Sequence, residues 1–530
     1  MQSFINKLRN LFYTLQSNRL YLLIIALTLL HIVPIWLFTY FPSQDGPSHI
    51  ENAYTLLHYF DHEALYNQYY YLNLDFVPNW LSHIELAFLM LFVSPLTAEK
   101  IFLTIYVILF VLSIFYFLKS VDKESIFFTL FAFPFIYNLL LHKGFYNFVF
   151  SVPLMFLTIG YWWRRRNIRL DWGLFAGLNL LLVFLFFCHI VSQLLAIASI
   201  LFLTALHYRT EVKKTLLLAV ALIPSYIFPF YFLYIFLYRQ SGQSHAERWI
   251  PGGSWGYLFK IGSLISYDLR EHYVSQSLAV LLAGLVIYTI LWEKIGLSGR
   301  RLRLNITLRD SFLLLAIVFS FLSVYMPNNM SSGTLVTERL NLYPFLIILP
   351  WLSSNMWKPG KYVVGALAVT LILFHLAFTT YHYKLLNAGL EEYTSGIPFV
   401  GKNETILPVI FKHDSKESGR IGVYLHAIGY YCAAKGSIDL SNYEAQRIYF
   451  FPLRYRSSMD PFTSIGTKED IRPWAYPRPI DYILLWEPRE RFAALEWIEK
   501  NYTLIHSQGR LKLFKRLGPL EKVLQTNSSF

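Results

Sequence analysis

The sequence is poor in charge. Of 530 residues, only 15% are Asp, Glu, Lys or Arg, against about 25% in an ordinary soluble chain. A soluble protein of this length folds as roughly three or four domains, each needing a polar surface. This chain has too little charge to cover them. Cysteine is equally scarce. There are two, Cys188 in an apolar run and Cys432 in a polar tail, so a disulfide scaffold is excluded. No CxxC, paired-His zinc signature or Gly-rich phosphate loop occurs. The N-terminus lacks a short apolar run ending in an A-x-A-type cleavage site. The first apolar stretch, from Arg19 to Phe41, therefore reads as a retained anchor.

Apolar and aromatic residues fill the space that charge leaves, at 55% and 18% of the chain. The composition is that of an α-helical polytopic membrane protein. A span needs about 20 mostly apolar residues, and eleven stretches qualify: 20–41, 98–118, 124–141, 145–163, 172–190, 192–208, 214–238, 276–293, 311–326, 339–357 and 361–381. The segment 172–208 reads either as two spans or as one span followed by a re-entrant segment. A twelfth stretch, 80–95, is short and carries His83 and Glu85. Taken as a span, it would set Arg164, Arg165, Arg166 and Arg169 beside an acidic loop and opposite Lys7, Arg9 and Arg19. It reads instead as an amphipathic helix at the membrane interface.

With that choice, the basic loops 7–19, 119–123, 164–169, 209–214, 294–309 and 358–361 share one face. The positive-inside tendency makes that face, and the N-terminus, cytoplasmic. Loops 42–97, 239–275 and 327–338 then face outward together with residues 382–530. The net charge of +13 becomes an orientation signal, not a nucleic-acid footprint. In the tail, 420–427 and 481–487 read as strands, 491–502 as a helix and 510–516 as an edge strand. Two domains result: a transmembrane domain, 1–381, and a small extracytoplasmic α/β domain, 382–530.

The first loop is the most informative segment. Between 42 and 79 it carries Asp45, Glu51, Asp61, Glu63 and Asp75, with no Lys or Arg. Gly46-Pro47 breaks the chain and a helical pattern follows. His49 comes four residues after Asp45, so both can point the same way. An acid and an imidazole suit proton transfer or metal binding. Asp before a helix is also a common N-cap, and the two roles are compatible. Glu338 and Arg339 open the tenth stretch; Arg339 either grips a phosphate or snorkels to headgroups. His142 and Lys143 lie in the turn 140–147, positioned for a ligand or solvated. His189 sits at a helix end, where a polar group is costly unless satisfied. Asp268, Arg270, Glu271 and His272 alternate in charge, as a salt-bridged surface does.

This layout resembles the GT-C superfamily of integral-membrane glycosyltransferases. The likeness lies in the first span followed by a long loop with an acid near its start, DGPSH (45–49). It continues in VPNWLSHIELAFLMLFVSPLTAEKIF (77–102), KGFYNFVFSVPLMFL (143–157) and the His189 that precedes an apolar run. The resemblance implies transfer of a sugar from a polyprenyl-phosphate carrier to a lipid-linked or cell-surface glycan acceptor, at the outer face of a plasma or inner membrane, in cell-envelope polysaccharide biosynthesis. Asp45 then acts as base with His49 and Glu51 as helpers. Arg339, Glu338, His142 and Lys143 would meet the donor phosphate. His189, Asp268, Arg270 and His272 would line the acceptor groove. Asp45 and His49 are the candidate ligands of a divalent metal. Many members carry an acidic pair where this sequence has Asp45-Gly46, with Glu51 the nearest second acid. Two alternatives stand beside this reading: a lipid-linked sugar transporter or flippase, and a non-catalytic scaffold of this architecture in envelope assembly.

Overall fold

A computed structural model describes residues 19–167, 171–240, 251–298, 301–329, 333–446, 450–466 and 471–518. Helix α1 (Arg19–Leu37) leads into the first loop, which holds α2 (Gly46–Leu57) and α3 (Leu81–Met90). After α4 (Pro95–Val121) comes a 3₁₀ helix, Lys123–Phe135, and then α5 (Tyr146–Arg165), α6 (Trp172–Cys188), α7 (Ile190–Tyr208), α8 (Val212–Ala221), α9 (Ile223–Gln240), α10 (His272–Thr289), α11 (Asp310–Tyr325) and α12 (Lys358–Thr394).

Six helical stretches among the described residues are long and apolar enough to cross a membrane: Arg19–Leu37, Pro95–Val121, Lys123–His142, Ile190–Tyr208, Leu269–Lys294 and Lys358–Phe399. The pair α8 and α9, bent by 60°, makes a seventh if taken as one span. The chain thus has the makeup of a polytopic membrane protein, with six or seven such helices and not eleven. The surplus has physical causes. At 1.5 Å per residue, α6 and α11 are only about 25 Å long, short of a hydrocarbon core of about 30 Å. The expected span 339–357 breaks into Val336–Leu340, Tyr343–Ile347 and Leu349–Trp351, and Pro344 and Pro350 each sit at the start of a new piece. Proline lacks the N–H that would continue the preceding helix. Helix α5 is long enough to cross, but Asn147, its Tyr and Trp residues and the terminal Arg164 and Arg165 dilute its apolar residues. The stretch 80–95 forms the ten-residue α3, too short to cross. The segment 172–208 is two helices, α6 and α7, joined at an extended His189.

The 3₁₀ helix is long for its type, since runs beyond a turn are uncommon. Its thirteen residues make about 26 Å at about 2.0 Å each, and the turn Leu139–His142 carries the stretch to the length of a span. Its interior from Ser125 to Phe135 is entirely buried.

The first loop contains strand β1 (Tyr70–Leu72). The tail holds β2 (Thr405–Ile410), α13 (Gly429–Lys435), β3 (Ile438–Asp439), β4 (Leu453–Tyr455), β5 (Tyr482–Trp486), α14 (Leu495–Asn501), β6 (Tyr502–Gln508) and β7 (Leu511–Arg516). Five strands form a sheet in the order β3-β2-β5-β7-β6. Strand β2 runs parallel to β3 and β5, and β7 pairs antiparallel with β5 and β6. The strand expected at 420–427 is irregular. Arg420 N–H donates to Ser266 O at 2.9 Å, which ties the segment to the loop before α10 and away from the sheet. The segment 510–516 is a strand, but an interior one, with β6 at the edge.

The tail is joined to the first loop throughout. Strand β1 pairs antiparallel with β4, setting Tyr70 opposite Tyr455 and Leu72 opposite Leu453. Gly429 opens α13 against α2, where an added Cβ would stand 2.2 Å from Pro47 O. Helix α12 continues past residue 381 and carries Glu392 to Arg510, with Nη2 and Oε2 2.7 Å apart. Lys7, Arg9 and Arg169, used above for orientation, lie outside the described residues.

Candidate functional site

Helix α2 starts at Gly46-Pro47, where proline's missing N–H costs nothing. Asp45 occupies the N-cap position, yet its side chain accepts no capping bond. The carboxylate is used elsewhere. Gln44 Nε2 donates to Asp45 Oδ1 at 3.0 Å, and His426 Nε2 from the tail lies 3.7 Å from the same oxygen. The turn 142–144 holds the backbone: Asp45 N–H donates to Lys143 O at 3.2 Å, and Gln44 N–H to His142 O at 2.9 Å. Gly144 makes this approach possible. It has φ +77°, and a Cβ there would meet Gly46 N at 2.5 Å and Asp45 N at 2.6 Å, so only glycine fits. Removal from water pushes the Asp45 carboxyl up to about 7, against the opposing effect of the Gln44 hydrogen bond.

Asp45 faces a cavity of about 780 Å³. Its polar end is lined by Gln44, Asp45, His49, Lys143, His189, Arg339 and His426. Its apolar wall comes from Val191, Leu194 and Leu195 of α7, Phe232 and Phe236 of α9, and Leu322 of α11. Tyr443 and Phe451 of the tail also line it. The Arg339 guanidinium lies over the rings of Phe145 and Phe148, at 4.7 and 5.6 Å. Its Nη1 is 3.2 Å from His189 Nε2, and its Nε is buried with no hydrogen-bond partner among the described residues. Lys143 Nζ donates to Gln44 Oε1 at 2.8 Å. An amphiphile fits such a space, with an anionic head toward Arg339 and Lys143 and a hydrocarbon part along α7 and α9.

The structure therefore brings together Asp45, His49, Lys143, His189 and Arg339, and leaves six expected residues apart. Glu51 is six positions beyond Asp45, which places it on the other side of the helix. It is buried near Asp439, and burial followed by that neighbour's charge holds its carboxyl well above the usual range. His142 precedes Lys143 and points the other way, with Nδ1 2.9 Å from Ser266 Oγ and Nε2 2.9 Å from Tyr383 OH. Glu338 pairs with Arg420 at 3.3 Å. Arg270 Nε donates to Asp268 Oδ2 at 2.9 Å, and His272 Nδ1 contacts Leu269 O at 2.6 Å. None of these six lines the cavity.

Sequence reasoning missed His83, His426 and Glu444. His83 and Glu444 join His49 in a buried cluster whose ligand atoms all lie within 4.8 Å of one another, an arrangement able to hold a metal ion. Asp45, expected to share a metal with His49, lies outside that cluster. His83 carried a signal, being a polar residue in an apolar stretch. Glu444 and His426 carried none, since only folding brings the tail to the first loop. No protein-family model matches the chain, and no curated protein matches it.

Proposed function

We propose that the chain is an integral-membrane glycosyltransferase that moves a sugar from a polyprenyl-phosphate carrier to a lipid-linked or cell-surface glycan acceptor. The supporting observation is one cavity that holds Asp45 and Arg339 at its polar end and the apolar faces of α7 and α9 along its wall. The first loop and the tail face outward in this reading, and the basic loops face the cytoplasm.

Asp45 takes the proton from the acceptor hydroxyl as its oxygen bonds to the anomeric carbon of the sugar. The bond from that carbon to the carrier phosphate breaks, and the phosphate leaves with the electron pair. Arg339 and Lys143 stabilise the charge that develops on it. By analogy with the GT-C architecture, the anomeric configuration inverts. A carboxyl raised to about 7 is matched to base catalysis near neutral pH. Glu51, Glu338, His142, Asp268, Arg270 and His272 have no part in this step.

A lipid-linked sugar flippase is the second reading. The 60° bend between α8 and α9 favours it, because transporters use broken helices beside their sites. Proteoliposomes containing the full chain and a polyprenyl-phosphate sugar separate the two. A transferase passes the sugar to an added acceptor and frees the carrier phosphate. A flippase moves the donor between leaflets with the sugar still attached, and that result alone would overturn the proposal.

A further inference from the structure

Three side chains from distant parts of the chain meet beside the cavity: His49 on α2, His83 on α3 and Glu444 in the tail. His49 Nδ1 lies 3.3 Å from His83 Nε2 and 3.1 Å from Glu444 Oε1. His83 Nε2 lies 2.7 Å from Glu444 Oε2. All three residues are buried.

The far side of each ring assigns its proton. His49 Nε2 faces the carbonyl of Gly144 at 2.9 Å. A carbonyl only accepts, so Nε2 carries the hydrogen and Nδ1 keeps a lone pair. His83 Nδ1 faces the carbonyl of Asn79 at 3.3 Å, which leaves the lone pair on Nε2. Two lone pairs and a carboxylate then converge on one point. A hydrogen on the Glu444 carboxyl or on His83 Nε2 would satisfy only the 2.7 Å contact between those two and would give His49 Nδ1 no donor. A metal cation satisfies all three groups at once.

The geometry fits zinc. Zinc–nitrogen bonds are about 2.0–2.1 Å, so neighbouring ligand atoms of a tetrahedral site stand about 3.3 Å apart. The two ring nitrogens have that separation, His49 Nδ1 and Glu444 Oε1 are close to it at 3.1 Å, and the 2.7 Å contact of His83 with Glu444 Oε2 would open as the cation enters. The surroundings also match a metal site, in which outer hydrogen bonds orient the ligands. Gly144 and Asn79 carbonyls hold the rings, and Asn52 Nδ2 donates to Glu444 Oε2 at 3.0 Å.

We propose that His49 Nδ1, His83 Nε2 and the Glu444 carboxylate bind a zinc-type divalent cation that fastens the tail to both helices of the first loop. His49 also lines the cavity, so the cation would fix the wall beside Asp45. This site does not depend on the transfer reaction, and its test reads metal, not activity.

The test uses the full chain purified in detergent, equilibrated with zinc sulfate and desalted. Mass spectrometry of the metal should find about one zinc per chain. His83→Gln and Glu444→Gln should each lower it to below about a tenth. Cobalt loaded in place of zinc should give the visible bands of a tetrahedral site in the wild type and lose them in Glu444→Gln. If a variant fails to fold, the wild-type zinc and cobalt measurements decide alone. Wild-type protein that takes up no zinc, or full zinc content in both Gln variants, overturns the site.

Discussion

His83 Nε2 lies 2.7 Å from Glu444 Oε2, so the short helix after the first span is tied to the far end of the chain. The contact explains why the tail belongs to the site. The segment that supplies Glu444 also supplies Tyr443 and Phe451 to the cavity, and His426 approaches Asp45 from the same side. A carboxylate near the first span and a guanidinium far along the chain then share one polar pocket.

Transfer should depend on pH through Asp45. Its carboxyl is raised to about 7, and a base must be ionised to accept a proton. The rate should therefore rise with pH and level off above about 7, falling roughly tenfold per unit below it. A profile of kcat/KM against pH checks this. A rate unchanged well below that value would show that another group is the base.

Arg339 should act on the leaving phosphate. Arg339→Ala should lower transfer by about 10² to 10³-fold. Arg339→Lys keeps the charge but loses the planar fork that lies over Phe145 and Phe148, so it should recover only part of the loss. Turnover with saturating donor distinguishes the two variants. Full activity in the Ala variant would remove Arg339 from the reaction.

Gly144→Ala should unfold the site more than its size suggests. The left-handed backbone costs about 1–3 kcal/mol for a residue with a side chain. The new Cβ would also press on the backbone of Asp45 and Gly46. Both a lower melting temperature in detergent and a loss of transfer are expected. Wild-type values for both would show that the turn and α2 are not held in contact.

Stability should fall as pH rises from acid toward neutral because of Glu51 and Asp439. Burial raises both carboxyls, Asp439 to about 7. A carboxyl raised by folding contributes stability that is complete at low pH and lost as pH climbs through the folded value. The melting temperature should drop as pH rises from about 4, the ordinary carboxyl value, through about 7, and Glu51→Gln, which keeps a neutral side chain of the same shape, should lessen that drop. Thermal unfolding followed by tryptophan fluorescence measures it. An identical pH dependence in the variant would contradict the burial argument.

The sequence made local relationships readable. Asp45 and His49 are one turn apart, and both face the cavity as that spacing requires. Lys143, His189 and Arg339 stood out as polar groups beside apolar runs, and all three line the cavity. The same spacing rule places Glu51 on the opposite side, and alternation in a short turn sends His142 into the core. Counting apolar runs overestimated the spans, because a run does not show where proline breaks the helix, as in 339–357, or where the helix stops short of the hydrocarbon thickness, as in α6 and α11. The tail's part was hidden for another reason. Glu444 and His426 reach the site through strand pairing and helix contacts across most of the chain, and such pairing leaves no trace in the residues beside them.

The most direct test is Asp45→Asn in a strain deleted for this chain, with mass spectrometry of surface glycans and lipid-linked intermediates. Asp45 makes no capping bond, so the variant should accumulate to the wild-type level in the membrane. Wild-type protein should restore the missing glycan, and the Asn variant should leave it missing, with its lipid-linked precursor accumulated. A glycan profile restored in full by Asp45→Asn would contradict the role of Asp45 as base.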